Sequence, residues 1–510
     1  MSRTILAWNS LAGVLYYFVS TATAFVMAPF LVHHLGNGGY GFWELVMGLV
    51  GYLGVLDLGV APAVMRHVAL AWGKGSKESV VHVINTGFAT FLIAGLAGAA
   101  LVGLVSIHPS TLFGKLPFRL TTSRDVLWLC SIVFLLTFTR ATFTASLLGL
   151  QYHRIVNTLR AVLHVSQAVA IWLLLTHSNQ DALVKIAAVS ASSLFVESMI
   201  DAVILSRILN SGFSPFRARW KESRELFSFG AKSLGLMSAG SLTREGLLFI
   251  VSHSLGAAFV TFYVLAARIL QYGTQLLVAI GFPITPYLAT SLGHKGVSGV
   301  RESFEYTTRI LQFIQGGLAL GLFWLGLPFL AHWMGPQYAV KGSGVFYILV
   351  VTFAVNTFTA NSNRTLLSLN KHGKAALASV AMAISAFILA LFLVPRLGIE
   401  GAAWATIFYQ ISIGIIQLVL VSRALGFSIL RHIQGTLSRL SLPVLIGAVL
   451  IALSVRAFPP VTYGAIFLSA AIGALGYLFV GFFTVSTRQE RSALYGLVLR
   501  RGAKNAMPSA

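Results

Sequence analysis

Residues 29–75, "PFLVHHLGNGGYGFWELVMGLVGYLGVLDLGVAPAVMRHVALAWGKG", read as the end of one apolar helix, a glycine-rich turn, a second apolar helix and a basic loop. The pattern returns 220 residues later without a gap as "VSHSLGAAFVTFYVLAARILQYGTQLLVAIGFPITPYLATSLGHKG". His33 then lies over His253, Gly36 over Gly256, Phe42 over Phe262, Tyr52 over Tyr272 and Gly73 over Gly293. Further on, Thr137-Phe138-Thr139 matches Thr357-Phe358-Thr359, and after a one-residue slip "LLGLQYH" (147–153) matches "LLSLNKH" (366–372). A repeat of this length implies two copies of one multi-helix unit.

The units belong in a bilayer. Of 510 residues 56% are apolar and only 10% charged, with mean hydropathy +0.82; soluble domains carry about 25% charged residues. Apolar runs of about 20 residues, long enough to cross hydrocarbon, recur throughout. Fourteen spans are expected, at 8–31, 42–64, 80–107, 126–149, 155–176, 184–206, 229–252, 258–282, 310–331, 344–367, 376–394, 401–421, 441–456 and 463–485. The fold class is therefore an all-α polytopic membrane protein. Six helices separate the repeats, an even number, so the copies run in the same direction about a pseudo-twofold axis along the membrane normal.

An even number of spans puts both termini on one side. That side collects 23 of the 36 Lys and Arg, against seven opposite and six inside spans. The positive-inside rule makes it cytoplasmic. The net charge of +22 is thus a topology signal, with anionic lipid rather than nucleic acid as its partner. Domain divisions follow: a bundle at 1–207, a basic linker at 208–228, a second bundle at 229–423, an interfacial segment with two extra spans at 424–487, and a basic tail at 488–510. The first helix is read as retained, because its apolar run continues past Ala22-Thr23-Ala24 through Leu31. Residues 422–440 and 488–501 are expected as interfacial helices on the inner leaflet. Gly95, Ala99 and Gly103, and Gly317 and Gly321, are expected at close helix contacts.

Ionisable residues deep in a span are costly, and they normally face a bundle interior or a wet cavity. Arg140, Arg244 and Arg268 lie farthest from the span ends. Arg160 and Arg364 lie near enough to the cytoplasmic end to snorkel. A cluster of guanidinium groups suits phosphate, whose oxygens the planar fork pairs two at a time. The competing reading is an interhelical ion pair with Glu197 or Glu245. Those acids, and Asp57 in "LDLGVAPAVMR", are the candidates for a coupling ion or for ion pairing, with Asp57 favoured as a structural partner of Arg66 or a cap. Arg244 and Glu245, being adjacent, are not expected to face each other on a helix. Cys130 is the only cysteine. No cofactor, metal-ligand spacing, nucleotide-binding motif or catalytic set is recognisable.

An asparagine-led first helix ending in "PFLVHHLGNGGYGFWEL", then "LDLGVAPAVMRHVA", and later "VPRLGIEGAAWAT" (394–406) resemble the polysaccharide-transporter family. These are Wzx-type O-antigen flippases of the multidrug/oligosaccharidyl-lipid/polysaccharide exporter superfamily. The resemblance covers spans one to twelve. It implies two six-helix bundles forming a V around a cationic cavity. It also implies movement of an undecaprenyl-diphosphate-linked glycan across the bacterial plasma membrane, beside other polysaccharide-assembly membrane proteins. The substrate-binding candidates are then Arg140, Arg244, Arg268 and Arg364. An ion-coupled multidrug antiporter of the same superfamily would want a deep acidic site instead, and a lipid II flippase would share the basic one. A membrane glycosyltransferase or polymerase would need catalytic groups in a large outer loop, and the longest, about 108–125, has Asp125 as its only acid.

Overall fold

A computed structural model describes residues 3–54, 60–178, 180–218, 239–240, 242–281, 283–359, 361–486 and 491. Among them the regular structure is helical. The α-helices are α1 (Arg3–Leu53), α2 (Val60–Gly73), α3 (Lys77–Ile107), α4 (Pro109–Phe113), α5 (Leu120–Gly149), α6 (His153–His177), α7 (Ala182–Leu209), α8 (Leu247–Leu255), α9 (Ala257–Gly281), α10 (Ile284–Met334), α11 (Pro336–Val355), α12 (Ser362–Ser368), α13 (Gly373–Leu397), α14 (Ile399–Leu425), α15 (Ile429–Ala457) and α16 (Tyr463–Thr484).

Twelve helices in the described residues are long and apolar enough to cross a membrane. They account for thirteen of the fourteen expected spans, because α1 carries the first two. Its helical path is interrupted only at Gly36 (φ 67°, ψ 173°), which is all that remains of the expected turn at 36–41. The remaining span, 229–252, is described only from residue 239.

The repeat is visible in the backbone. Left-handed residues stop or bend helices at Gly36, Gly75, Gly114, Gln151, Asp181 and Asn210. They recur in the same order, each about 220 residues on, at Gly256, Gly296, Gly335, Asn370, Gly398 and Gly426. Such a conformation costs an ordinary side chain roughly 1–2 kcal/mol, so matched breaks in matched order are a property of the duplicated unit.

The chain divides into two compact units. The first comprises Met1–Val264 and Ser379–Ala402, the second Leu265–Ala378 and Ala403–Ala510. In the first, α2, α3, α5 and α7 close on Val64, Ile84, Phe91, Phe134, Phe138 and Leu205. The small residues of α3 do what their spacing predicts: Gly95 packs on Leu135 and Phe138, Gly103 packs on Trp128, and a Cβ on Gly98 would enter the Phe134 ring. A second cluster joins Ile171 and Leu175 of α6, Ala182 and Ile186 of α7, and Phe30 and Trp43 of α1.

In the second unit, α16 lies on α10. Tyr477 stacks on Phe313, with centroids 4.6 Å apart, and its hydroxyl donates to the Phe313 carbonyl at 2.6 Å. Gly317 makes room for that ring, whereas Gly321 has no neighbour at the Cβ position. Residues 429–440 are the first turns of α15, a single 29-residue helix, in place of a separate interfacial helix, and the segment 488–501 lies outside the described residues apart from residue 491. The apolar stripe continues through Leu442 and Leu445, and Pro443 is accommodated inside the helix. α9 ends at Gly281 before Pro283, as expected.

Polarity is inverted relative to a soluble core. Leu15, Phe18, Leu377, Leu475 and Phe479 are among the most exposed large side chains, while Thr86, Thr142, Ser198, Thr308 and Ser362 are buried. Apolar residues outside and hydroxyls between helices suit a surface solvated by lipid.

Candidate functional site

The polar interior of the first unit comes from three helical stripes. On α6, Arg160, His164 and Gln167 stand at i, i+4 and i+7, so they share a face. On α7, Ser190, Glu197 and Asp201 stand at i, i+7 and i+11 and likewise share a face, and α5 contributes Arg140 and Thr144. With Tyr16 of α1 and Ser193 of α7, several of these groups line a cavity of about 270 Å³. At about 30 Å³ of liquid volume per water, this is room for a group of several polar atoms.

Glu197 is the pivot. It is only 7% exposed, and its Oε1 accepts from Arg140 Nη1 and from Arg160 Nε, the latter at 3.1 Å. One carboxylate is therefore shared by two guanidinium groups, so the cavity lining carries two cationic side chains to one anionic. The Nε of Arg140 is buried with no hydrogen-bond partner among the described residues, so the fork keeps a donor in reserve. Asp201, one turn beyond Glu197, accepts from the Thr144 hydroxyl at 2.7 Å, and Gln167 donates to Ser190 at 3.0 Å. In a low-dielectric interior such a carboxylate is costly unless paired, and removing one partner of a buried pair typically costs 3–5 kcal/mol.

The sequence candidates separate on this geometry. Arg140 and Glu197 meet, and they meet as an ion pair at a cavity. Arg244 instead donates its Nε to Glu245 Oε1 at 2.6 Å, and its side chain is 66% exposed. This corrects the expectation that the adjacent pair cannot face each other. Residues 242–246 form a π-helical turn, whose i→i+5 closure puts more residues in each turn than the α-helical spacing behind that expectation. Glu245 lies against Gly48 of α1. In the second unit, Arg268 is half-buried in α9. Arg364, in α12, lays its guanidinium on Gly281, where any side chain would collide with it. Asp57 lies outside the described residues.

Sequence reasoning passed over Arg160, His164 and Gln167. Arg160 looked able to snorkel to the nearby helix end. The signal that finds it is the shared face: three polar residues at helical spacing on an otherwise apolar span. The second unit has a larger cavity of about 480 Å³ between α10, α11 and α15, walled by Leu320, Phe323, Trp324, Val351 and Leu440. It offers almost no polar group to an anionic ligand.

No protein-family model matches the chain. Among curated proteins it is similar to a Shigella flexneri protein named "Putative O-antigen transporter", with 24% identity over 418 residues, 78% of this chain and 92% of that protein. Among solved structures it resembles the lipid II flippase MurJ in an inward closed conformation, with TM-score 0.70, 15% identity and 93% and 98% of the two chains covered. An inward-facing multidrug-resistance MATE transporter of the MOP superfamily matches at TM-score 0.63 and 15% identity, covering 81% and 94%. The chain has the MOP-superfamily transporter fold. The three proteins just named are a putative transporter, a flippase and a transporter by name, not enzymes, in line with the family resemblance of the opening helices.

Proposed function

We propose that this MOP-fold protein is a flippase that moves an undecaprenyl-diphosphate-linked oligosaccharide from the inner to the outer leaflet of the bacterial plasma membrane for surface polysaccharide synthesis. The observation that carries the reading is the pair of guanidinium groups, Arg140 and Arg160, sharing Glu197 at a polar cavity. A diphosphate headgroup is strongly hydrated and cannot enter hydrocarbon unaided. Two arginine forks can replace its water with charge-assisted hydrogen bonds. Glu197 is the resident counter-ion: it holds the forks in place until phosphate oxygens displace it.

The bundles 1–207 and 229–423 then rock against each other and expose the headgroup to either face, while the lipid tail stays in the bilayer. Arg244, Arg268 and Arg364 are the further candidates for contact with the anionic headgroup. No ATP-binding motif is present in the sequence, so movement is coupled to an ion gradient or to the membrane potential. Both termini are cytoplasmic, as the Lys and Arg distribution requires.

Likeness to the lipid II flippase fold favours a second reading with the same headgroup chemistry, in which the cargo is the peptidoglycan precursor. Deleting the gene separates the two. Loss of one surface glycan from a growing strain supports the first reading; rescue of a strain lacking its lipid II flippase supports the second. A deletion strain with an intact surface and altered drug sensitivity overturns both.

A further inference from the structure

The cluster of Arg140, Glu197 and Arg160 occupies only one end of its chamber. Gln167 stands seven residues beyond Arg160 on α6, about 10.5 Å along the helix axis, and both line the cavity. One turn further on, Ile171 and Leu175 pack with Phe30 and Leu31 of α1, so the polar stretch stops there. Between the arginines and that apolar stop, the wall is made by His164 of α6 and by Ser193 and Leu194 of α7. Beyond the ion-pair cluster the described lining residues include no carboxylate and no guanidinium.

Gln167 is held with hydrogen-bonding capacity to spare. Its Nε2 donates to the Ser190 hydroxyl at 3.0 Å, and Ser190 gives its own proton to the Ile186 carbonyl at 2.8 Å. A side-chain amide carries two N–H donors and a carbonyl with two lone pairs, so one N–H and the oxygen remain for a ligand. Because Ser190 already fixes the amide, a ligand bound there pays little for ordering it. Ser193, one turn before Glu197 on α7, brings a hydroxyl to the same wall. A donor and an acceptor on one amide, beside a hydroxyl, match the hydroxyl and acetamido groups of a carbohydrate. They cannot replace the hydration shell of a second charged group.

We propose that the Gln167 end of the chamber is a subsite for one uncharged sugar ring, the ring bonded directly to the diphosphate. This rests on the flippase reading above and adds a selectivity to it. A cavity of about 270 Å³ has the room of about nine waters. A diphosphate and one ring fill it, and the rest of a longer glycan lies outside. With the phosphates on Arg140 and Arg160, the adjoining ring is the part of the glycan carried to Gln167. Gln167 and Ser193 then bond its hydroxyl or acetamido substituents. A ring without them leaves those groups unpaired, which is how a polar site rejects an analogue.

Binding to the purified full-length protein tests the subsite with three probes on one short lipid: farnesyl diphosphate, farnesyl diphosphate bearing N-acetylglucosamine, and farnesyl diphosphate bearing glucuronic acid. The neutral sugar should tighten binding about tenfold over farnesyl diphosphate, the effect of one or two added hydrogen bonds, and glucuronic acid should not. Gln167→Leu should remove most of that gain and Ser193→Ala part of it, while Arg160→Gln should weaken binding of all three probes. Gln167→Asn keeps the amide but draws it back from the ring, and it should show the same loss even if Gln167→Leu does not fold. No gain from the neutral sugar, a gain that survives in Gln167→Asn, or an equal gain from glucuronic acid overturns the subsite and leaves the diphosphate site standing. Failure of farnesyl diphosphate itself to bind, or unchanged binding in Arg160→Gln, overturns the flippase reading and the subsite together.

Discussion

At the scale of single residues, Glu197 decides how the first unit behaves. With Arg140 and Arg160 both on one carboxylate, Glu197→Ala leaves two half-buried guanidinium groups without their shared counter-ion. It should destabilise the purified protein by about 3–5 kcal/mol, read as a lower melting temperature. Glu197→Gln keeps the shape and two hydrogen-bonding sites, so it should fold. Headgroup binding should tighten, because the competing charge is gone, while transport falls; equal loss of both would argue that Glu197 is only a structural counter-ion. Arg160→Lys keeps the charge and loses the fork, and transport should drop with little change in protein level. Arg268→Ala should abolish surface polysaccharide without lowering the amount of protein in the membrane, and wild-type polysaccharide in that variant would count against the residue's place on the path. Depth in a span was enough to single out Arg140 and Glu197 from sequence. Their partner Arg160 was not legible that way, because distance from a helix end says nothing about which way a side chain turns. Only the face it shares with His164 and Gln167 carries that information.

At the scale of elements, spacing in the sequence translated well where small residues or glycine turns control geometry. The stripe Gly95, Ala99, Gly103 sets how closely α3 approaches α5, and Gly98 sits under Phe134. Gly98→Leu should force that ring out of a well-packed core. The expected cost is about 1–3 kcal/mol, seen as a lower melting temperature. Two element-level expectations failed for physical reasons. The separate helix at 422–440 is absent because an apolar stripe continues without interruption into α15, and a basic first turn does not by itself end a helix. The adjacent pair Arg244 and Glu245 meets because its turn is π-helical, a departure from α-helical spacing that residue identity does not announce. The left-handed pairs Gly36/Gly256 and Gln151/Asn370 fall where the matched segments "HHLG"/"HSLG" and "LLGLQYH"/"LLSLNKH" place them.

At the scale of the whole molecule, composition and charge already excluded a soluble domain, and the long-period repeat indicated a duplicated helical unit. Orientation follows from charge bias and can be checked by labelling. In a Cys130→Ser background, a membrane-impermeant maleimide applied to intact cells should reach Ser178→Cys and not Ser298→Cys; the reverse pattern would invert the topology. Substrate identity is less legible, since a guanidinium pair recognises a diphosphate whatever sugar it bears. The most direct test is therefore translocation itself, with purified protein in liposomes containing an undecaprenyl-diphosphate-linked oligosaccharide and an applied ion gradient. The wild-type protein should bring inner-leaflet headgroups within reach of an external sugar-modifying enzyme, and an Arg140→Gln, Arg160→Gln double variant should not. Headgroup exposure no faster than in protein-free liposomes, or equal exposure by the double variant, would contradict the account.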